Sequence, residues 1–308
     1  MIGRFLNYVE IKTKITSTFA FLITMAYLFY IGNPVNWKLT LIFFASMFIF
    51  DMTTTAINNY IDSKTNHQSL GFKRNTALAI IYVMLGISTA LGLYLAYLSD
   101  VVVLLIGGVC FLCGIFYTFG PIPISRQPLG EIFSGFFYGL LIPFILLYIN
   151  LPKGTLLNLS LSLTEINLQL SIMPIITVIL LSIPPVCTTA NIMLANNICD
   201  LERDITVKRF TLPYYLGKSK SVYLFAGLYY LVYLDIILMV ALGKLPWVCL
   251  LALISLYPVQ KNINLFFKEQ DKAKTFIVSI KNYVLIMSSI SLLIFIGGLL
   301  FWVIKELI

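Results

Sequence analysis

Charged residues are too few for a water-soluble protein of this length. Only 11% of the 308 residues are Asp, Glu, Lys or Arg, whereas a soluble domain carries about 25%. Hydrophobic residues make up 59% of the sequence. No soluble fold could remove so much apolar surface from water, so the lipid bilayer is expected to be the solvent for most of the chain.

Histidine and cysteine are both scarce. The single histidine, His67, falls in a loop, where an ordinary solvated residue is expected and a contact with substrate stays open. Four of the five cysteines lie inside apolar runs. Cys110 and Cys113 form a C-x-x-C pair without a second pair, so they are interpreted as small apolar residues of a helix rather than as a metal or redox site.

The sequence also lacks a linker and a low-complexity tract, so a single domain over 1–308 is predicted. Apolar runs of about 20 residues, the length that crosses a bilayer as a helix, alternate with polar breaks. The first run is too long for a signal-peptide core and is interpreted as a retained helix. The sequence thus predicts an all-α, polytopic membrane protein whose nine helices surround a central cavity: 15–33, 38–61, 75–98, 101–119, 130–150, 172–198, 221–243, 245–260 and 282–304.

Two of these predicted helices contain more than one proline. Pro246 and Pro258 leave the ends of the eighth helix open, and Pro184-Pro185 is expected to break or bend the sixth. The segment 151–171 alternates Leu with Asn, Ser and Thr. It is interpreted as an interfacial segment rather than as a further span.

Basic residues are distributed unequally between the two predicted membrane sides. With a cytoplasmic N-terminus, 17 of the 21 Lys and Arg residues fall on the cytoplasmic side, and the other four are Lys38, Lys153, Lys244 and Lys305. This asymmetry agrees with the positive-inside rule and supports both the helix count and the orientation. The formal net charge of +8 is therefore interpreted mainly as a topology signal, with membrane lipids rather than nucleic acid as the partner.

Two acidic strings stand at predicted cytoplasmic helix ends, four helices apart. Asn58-Asn59-x-x-Asp62-x-x-x-Asn66 matches Asn196-Asn197-x-x-Asp200-x-x-x-Asp204, and each spacing places its carboxylates and amides on one helical face. Polar groups at such depth are costly in lipid, so they are expected to face a wet, protein-lined cavity. Asp51 lies on the face of the first string, where a structural and a pocket-lining role are both open.

Matched series of carboxylates and amides supply hard oxygen ligands. Mg2+ takes few protein carboxylates and completes its coordination with water and phosphate oxygens. Two such strings could hold a diphosphate through bridging metal ions, which offset the charge of the leaving group as a carbon–oxygen bond breaks. Nearby Lys and Arg side chains could bind the remaining phosphate oxygens.

The chain resembles the UbiA superfamily of intramembrane prenyltransferases, and most closely its 1,4-dihydroxy-2-naphthoate polyprenyltransferase branch. Three stretches carry the resemblance. The Gly-Pro-x-Pro loop favours the naphthoate branch, and the second aspartate motif with its Lys-Arg-x-Thr-Leu continuation is the most specific part. The stretches are Asn58-Asn59-Tyr60-Ile61-Asp62; Tyr117 to Glu131, with Gly120-Pro121-Ile122-Pro123; and Asn196 to Gly217, with Lys208-Arg209-Phe210-Thr211-Leu212.

The resemblance implies a Mg2+-dependent transfer of a polyprenyl group from a prenyl diphosphate to an aromatic acceptor, with Mn2+ as a possible substitute. It implies catalytic roles for Asp62, Asp200 and Asp204, and metal ligation by these three residues and Asn58. The residues expected to bind substrate are Asn58, Asn59, Asn66, Tyr117, Arg126, Asn196, Asn197, Lys208 and Arg209. Arg74 and Lys14 are further candidates for positive charge near the diphosphate, and Arg126 is a candidate for orienting an anionic acceptor.

The first motif departs from the family pattern, because Asn66 stands where the family usually has a second aspartate. Pro121 also replaces a lysine that some relatives carry in the loop after Tyr117. Three alternatives to the naphthoate prenyltransferase therefore stay open. They are a prenyltransferase with another aromatic acceptor, a secondary transporter and a weakly catalytic lipid-binding paralogue. The expected location is the plasma membrane, with the N-terminus and both motifs on the cytoplasmic side.

Overall fold

The computed structural model describes residues 2–65, 70–120 and 123–307. Thirteen α-helices carry almost all of the regular structure in these residues. Helices α1 to α13 are Ile2–Tyr8, Ile15–Tyr30, Trp37–Thr65, Arg74–Leu98, Val101–Phe116, Gly130–Ser134, Ile142–Asn150, Ile172–Cys199, Leu201–Thr206, Leu212–Leu216, Lys218–Ala241, Leu256–Lys268 and Ile277–Leu307.

Short 3-10 and π-helical segments join some of these helices. Short 3-10 segments comprise Ile11–Lys14, Ile124–Arg126 and Trp247–Ser255. A π-helical segment, Gly135–Leu141, connects α6 to α7 and makes one continuous membrane helix of the two. The strands β1, Leu157–Leu161, and β2, Ile166–Leu170, form a two-stranded sheet.

Seven helical stretches of the described residues are long and apolar enough to cross a membrane, and the chain is a multi-pass membrane protein. They are Trp37–Ser63, Arg74–Leu98, Gly130–Asn150, Ile172–Cys199, Lys218–Ala241, Trp247–Lys268 and Ile277–Lys305. Helices α2 and α5 are also apolar but contain 16 residues each, fewer than the roughly 20 that cross a bilayer. The predicted count of nine spans is therefore not confirmed.

The structure excludes a break at Pro184-Pro185 and gives the ends of the eighth predicted helix, which the sequence left open. Helix α8 continues through Pro184 and Pro185 to Cys199, so the proline pair does not break it. The eighth predicted helix, 245–260, instead begins as the 3-10 segment at Trp247 and continues as α12 to Lys268. Pro258 lies in the first turn of α12, directly after the change from 3-10 to α-helical geometry at Ser255.

The residues of the chain group into two compact units, each with more contacts within itself than with the other. The first comprises Met1–Thr18, Asn36–Ile124 and Leu159–Leu168, and the second comprises Phe19–Val35, Ser125–Asn158 and Gln169–Ile308. In the first unit α3 packs along α4, and the rings of Phe50 and Phe111 stack 3.9 Å apart. A buried cluster that includes Tyr8, Val9 and Ala56 fixes α1 to this pair of helices.

Helix α8 is the centre of the second unit, where it packs against α6, the π-helical segment, α11 and α13. A Cβ atom on Gly139 would lie 2.3 Å from the backbone nitrogen of Val186. Only glycine allows the π-helical segment to approach α8 this closely, at the point where Pro184 and Pro185 interrupt its hydrogen-bond ladder.

The segment between α7 and α8, interpreted from the sequence as interfacial, contains the two strands. Leu157, Leu159 and Leu161 alternate with Asn158 and Ser160, so one face of β1 is apolar and the other polar. Every residue of β2 is exposed. The large apolar side chains that are exposed here, Leu161, Ile166, Leu168 and Leu170, fit contact with lipid at the membrane interface.

Candidate functional site

The first motif lies on the last turns of α3, within the first unit. Asn58 and Asp62 are one turn apart and partly buried. Oδ1 of Asn58 accepts a hydrogen bond of 3.2 Å from the hydroxyl of Thr118. The loop after Tyr117 is therefore held beside the first motif. Thr118 was not singled out in the sequence, although it follows Tyr117 in the stretch that carries the family resemblance.

Asn59 faces a different set of partners. Its Nδ2 donates to the backbone oxygen of Tyr8 at 2.9 Å and to Oε1 of Glu10 at 3.2 Å. This amide therefore joins α3 to the N-terminal segment of the same unit. Its predicted contact with substrate stays a prediction, and Asn66, His67 and Pro121 lie outside the described residues.

Two basic residues proposed for the diphosphate already have protein partners. The Arg74 guanidinium lies 4.1 Å from the centre of the Tyr60 ring and donates to Tyr60 O and Ser63 Oγ at 3.4 Å. The Lys14 ammonium is buried and lies 2.8 Å from Oδ1 of Asp51. Both residues thus stabilise α3, and the buried pair favours the structural role of Asp51.

The second motif lies in the second unit, where α8 ends and α9 begins. Asn196 and Asp200 are one turn apart, and both accept hydrogen bonds from the ammonium of Lys272. The distance from Lys272 Nζ to Asp200 Oδ2 is 2.7 Å. Lys272 belongs to the segment between α12 and α13 and was missed in the sequence, because 72 residues separate it from Asp200.

Asp204 completes this motif as a buried residue of α9. Its Oδ2 has no hydrogen-bond partner among the described residues, and Nε of Arg209 lies 3.8 Å away. Burial raises the pKa of the Asp204 carboxyl, a shift that Arg209 opposes and the Asp200 carboxylate reinforces. A buried carboxylate oxygen without a donor suits a cation from outside the chain.

Asn197, the neighbour of Asn196, faces the helix that follows the Gly-Pro-x-Pro loop. Its Nδ2 donates to Oε1 of Glu131 at 2.8 Å, and both side chains are buried. Glu131 was part of the quoted stretch but was not predicted to belong to the site. An acidic residue directly inside a membrane span was the signal that could have found it.

The segment after the second motif contacts the 3-10 turn Ile124–Arg126. Nε of Arg209 donates to Ser125 O at 2.9 Å, and the Phe210 N–H donates to Arg126 O at 3.1 Å. These bonds place Arg126 and Arg209 beside each other in the second unit. The side chains of Arg126 and Lys208 are exposed, and Lys208 has a positive φ of 55°.

The donor set of the second motif fits a hard divalent cation. Asn196, Asp200 and Asp204 offer amide and carboxylate oxygens, and two of them already hold a cationic ammonium group. No group of three or more His, Cys, Asp or Glu residues that could hold a metal ion occurs in the part of the chain that the structure describes. Such an ion would therefore take much of its coordination from water and phosphate, which is the preference of Mg2+.

Comparison with known proteins identifies the family. A model of the UbiA prenyltransferase family matches residues 19–283. The chain belongs to the UbiA prenyltransferase family. The 1,4-dihydroxy-2-naphthoate octaprenyltransferase of Bacillus subtilis (strain 168) is 33% identical over 191 residues, which are 62% of this chain and 55% of that protein. The match thus spans about half the length of this relative.

Solved structures share the UbiA fold. A structure described as digeranylgeranylglyceryl phosphate synthase has a TM-score of 0.64 at 18% identity and covers 96% of this chain and 98% of its own. A UbiA homolog from Archaeoglobus fulgidus bound to DMAPP and Mg2+ has a TM-score of 0.54 at 13% identity, with coverages of 96% and 98%. The predicted class, an all-α membrane protein, is confirmed by this likeness.

Proposed function

We propose that this protein is an intramembrane prenyltransferase that moves a polyprenyl group from a prenyl diphosphate to an aromatic acceptor. The observation that carries the proposal is the second motif, in which Asn196 and Asp200 converge on one cation and Asp204 keeps a buried oxygen without a donor. Membership of the UbiA prenyltransferase family supports the same reaction. A single domain over 1–308 is proposed to carry it.

Each motif is proposed to bind a divalent metal ion. Asn58 and Asp62 in the first motif, and Asp200 and Asp204 in the second, would be the ligands of Mg2+ or Mn2+. When bound, such an ion offsets the negative charge that develops on the diphosphate leaving group. Lys208 and Arg209 would bind phosphate oxygens that the metal leaves uncovered, and Asn59, Asn66, Tyr117, Asn196 and Asn197 are proposed to line the substrate site.

The reaction begins when the allylic carbon–oxygen bond breaks and the diphosphate keeps the electron pair. The resonance-stabilised allylic cation is then attacked by an electron-rich carbon of the acceptor ring, which forms the new carbon–carbon bond. Apolar and aromatic side chains of the span helices exclude water, which would otherwise capture the cation. The ring regains its aromaticity by losing the group at the attacked carbon.

The proposed acceptor is 1,4-dihydroxy-2-naphthoate, as the name of the Bacillus subtilis relative suggests. Attack by the carbon that bears the carboxylate releases CO2. Arg126 would orient this anionic acceptor, because its exposed side chain follows the Gly-Pro-x-Pro loop.

The proposed location is the plasma membrane, as part of menaquinone synthesis, with both motifs and the N-terminus on the cytoplasmic side.

Purified full-length protein, a radiolabelled prenyl diphosphate and a panel of aromatic acceptors test the proposal. We expect a prenylated product with the dihydroxynaphthoate acceptor and CO2 release in equal amount, both abolished by EDTA and restored by Mg2+. Full activity in EDTA would overturn the metal assignment. Absence of product with every acceptor and chain length would overturn the enzymatic function and leave the transporter and the lipid-binding paralogue as the alternatives.

A further inference from the structure

One lysine from a distant part of the second unit lies against the second motif. Lys272 Nζ is 2.7 Å from Asp200 Oδ2 and also donates to Asn196 Oδ1. Asn196 lies in the last turn of α8 and Asp200 directly follows that helix. Asp200 is a proposed metal ligand, and Asn196 was predicted to lie on the same helical face. A single ammonium group therefore takes the position between two oxygens that a divalent ion would need.

The segment around Lys272 is held by a compact turn. Oδ1 of Asp271 accepts from the backbone N–H groups of Ala273 at 2.9 Å and Lys274 at 2.8 Å. The Asp271 N–H donates to Thr275 Oγ1 at 2.9 Å. The Lys272 ammonium also lies 4.7 Å from the centre of the Phe276 ring. These contacts place Lys272 at the motif by local structure rather than by a chance contact of a long side chain.

Two basic residues of this segment have different partners and so provide a comparison. Lys274, two positions further on, forms an ion pair of 2.7 Å with Glu269, and both of these side chains are largely exposed. Lys272 instead neutralises Asp200, whose side chain is only 18% exposed. A carboxylate shielded from water in this way benefits more from a neighbouring cation than an exposed one does.

We propose that Lys272 is a resident cation of the second motif, which holds Asn196 and Asp200 when no metal is bound and must release them before a metal can bind. This inference rests on the proposed function, because it takes the second motif as a metal site. The ammonium competes with the metal for the same oxygens and repels it by like charge. The metal consequently binds weakly by itself and more tightly when a diphosphate brings additional ligands and negative charge.

The test is a titration of detergent-purified full-length protein with Mn2+, followed by the electron paramagnetic resonance signal of the free ion. Lys272→Gln removes the charge and keeps most of the side-chain length. We expect this variant to bind Mn2+ about tenfold more tightly than the parent in the absence of diphosphate, a change of about 1.4 kcal/mol. Lys272→Arg should bind like the parent, and Lys274→Gln is the matched control with unchanged affinity.

A double variant assigns the effect to the second motif. The gain in Mn2+ affinity should disappear in Lys272→Gln/Asp200→Asn, because the oxygens released by Lys272 include the charged one. Gel filtration and thermal unfolding of each variant report on folding independently of metal.

Three results would overturn the inference. The first is that Lys272→Gln and the parent bind Mn2+ with equal affinity. The second is that Lys274→Gln gains as much Mn2+ affinity as Lys272→Gln. The third is that Lys272→Gln loses Mn2+ affinity only when inorganic diphosphate is present, which would make Lys272 a phosphate ligand. Failure of the proposed function would look different, because the parent protein would then form no prenylated product whatever the Mn2+ titrations show.

Discussion

The ammonium of Lys14 and the carboxylate of Asp51 form an ion pair of 2.8 Å, with 4% and 5% of their side-chain surfaces exposed. Lys14 Nζ also donates to Asp51 O and Thr55 Oγ1, and the Ser17 hydroxyl donates to Asp51 Oδ2 at 2.6 Å. Every partner lies in the first unit. This network connects the turn before α2 to the middle of α3.

Removing one member of this pair should destabilise the protein strongly, because a buried charge is left without its partner. We expect Lys14→Ala to lower the free energy of unfolding by about 3–5 kcal/mol. Lys12→Ala, a change at an exposed lysine two positions earlier, should have little effect. Thermal unfolding in detergent measures both, and the double variant Lys14→Met/Asp51→Leu should recover much of the loss. Equal midpoints for Lys14→Ala and Lys12→Ala would contradict the structural role.

The carboxylates of the two motifs should matter more for turnover than the amide at position 66. Asp62→Ala, Asp200→Ala and Asp204→Ala should each reduce the rate of prenyl transfer about a hundredfold or more, since each removes a ligand whose contribution grows as the leaving group gains charge. Asn66→Ala should cost less, because water can replace a neutral amide, and Asn66→Asp should be tolerated.

Steady-state rates at several Mg2+ concentrations compare these variants. Glu165→Ala, at an exposed acidic residue of the strand hairpin, is the control and should leave the rate unchanged. If Asn66→Ala proves as damaging as Asp200→Ala, the amide has a specific role of its own. Near-normal turnover by Asp200→Ala would contradict the proposed function at its main residue.

Glu131 should act through Asn197 rather than through its charge. Glu131→Gln keeps an oxygen that accepts the hydrogen bond from Asn197 Nδ2, and it removes a buried charge whose Oε2 has no partner among the described residues. We expect its thermal stability to be equal to that of the parent or higher. Glu131→Ala leaves the Asn197 amide without an acceptor and should cost about 1–3 kcal/mol. A Glu131→Gln protein that is stable but inactive would show instead that the charge takes part in the reaction.

Gly139 should not tolerate a side chain. The Cβ atom of Gly139→Ala would lie 2.3 Å from Val186 N and 2.4 Å from Val186 Cα, which are backbone atoms of α8 that cannot move aside alone. We expect a sharp loss of thermal stability or of folded yield. Gly227→Ala in α11 has open space around its Cβ and should be neutral or stabilising by up to about 1 kcal/mol. Similar midpoints for the two variants would contradict the close packing.

The orientation of the chain can be checked at opposite ends of α8. Thr206→Cys and Leu163→Cys place single thiols at exposed positions, one at the last residue of α9 and one in the hairpin. In a background without the native cysteines, a membrane-impermeant thiol reagent added outside intact cells should label position 163 and leave position 206 unlabelled until the cells are opened. The reverse pattern would contradict the proposed cytoplasmic location of the second motif.

Sequence periodicity predicted the membrane helices well wherever a single apolar run had clear polar ends. The predicted helices 75–98 and 172–198 closely match Arg74–Leu98 and Ile172–Cys199. The end of α12 was missed, because Gln260, Lys261 and Asn262 resemble a polar break although they belong to a helix with one apolar face. The predicted break at Pro184-Pro185 was wrong for a different reason, since packing of the π-helical segment against α8 cannot be seen in a local sequence pattern.

The candidate site was predictable only where it is encoded locally. The positions of Asp62 and Asp200 at helix ends follow from the local sequence pattern, whereas Asp204 lies on the separate helix α9. Lys272, Thr118 and Glu131 reach the motifs across 72, 60 and 66 residues of chain. No single-sequence periodicity reports such contacts, because they depend on how the helices pack.

The side chains of Asn196 and Asn197, consecutive residues of α8, are held by contacts of different kinds. Successive residues of an α-helix point about 100° apart. Asn197 is anchored to Glu131 inside the unit, whereas Asn196 is held by a lysine on an exposed segment. Rotation of α8 about its axis would break the buried anchor together with the exposed one. Any rearrangement that opens this motif should therefore occur in the segment between α12 and α13, while α8 acts as the stationary reference against which it moves.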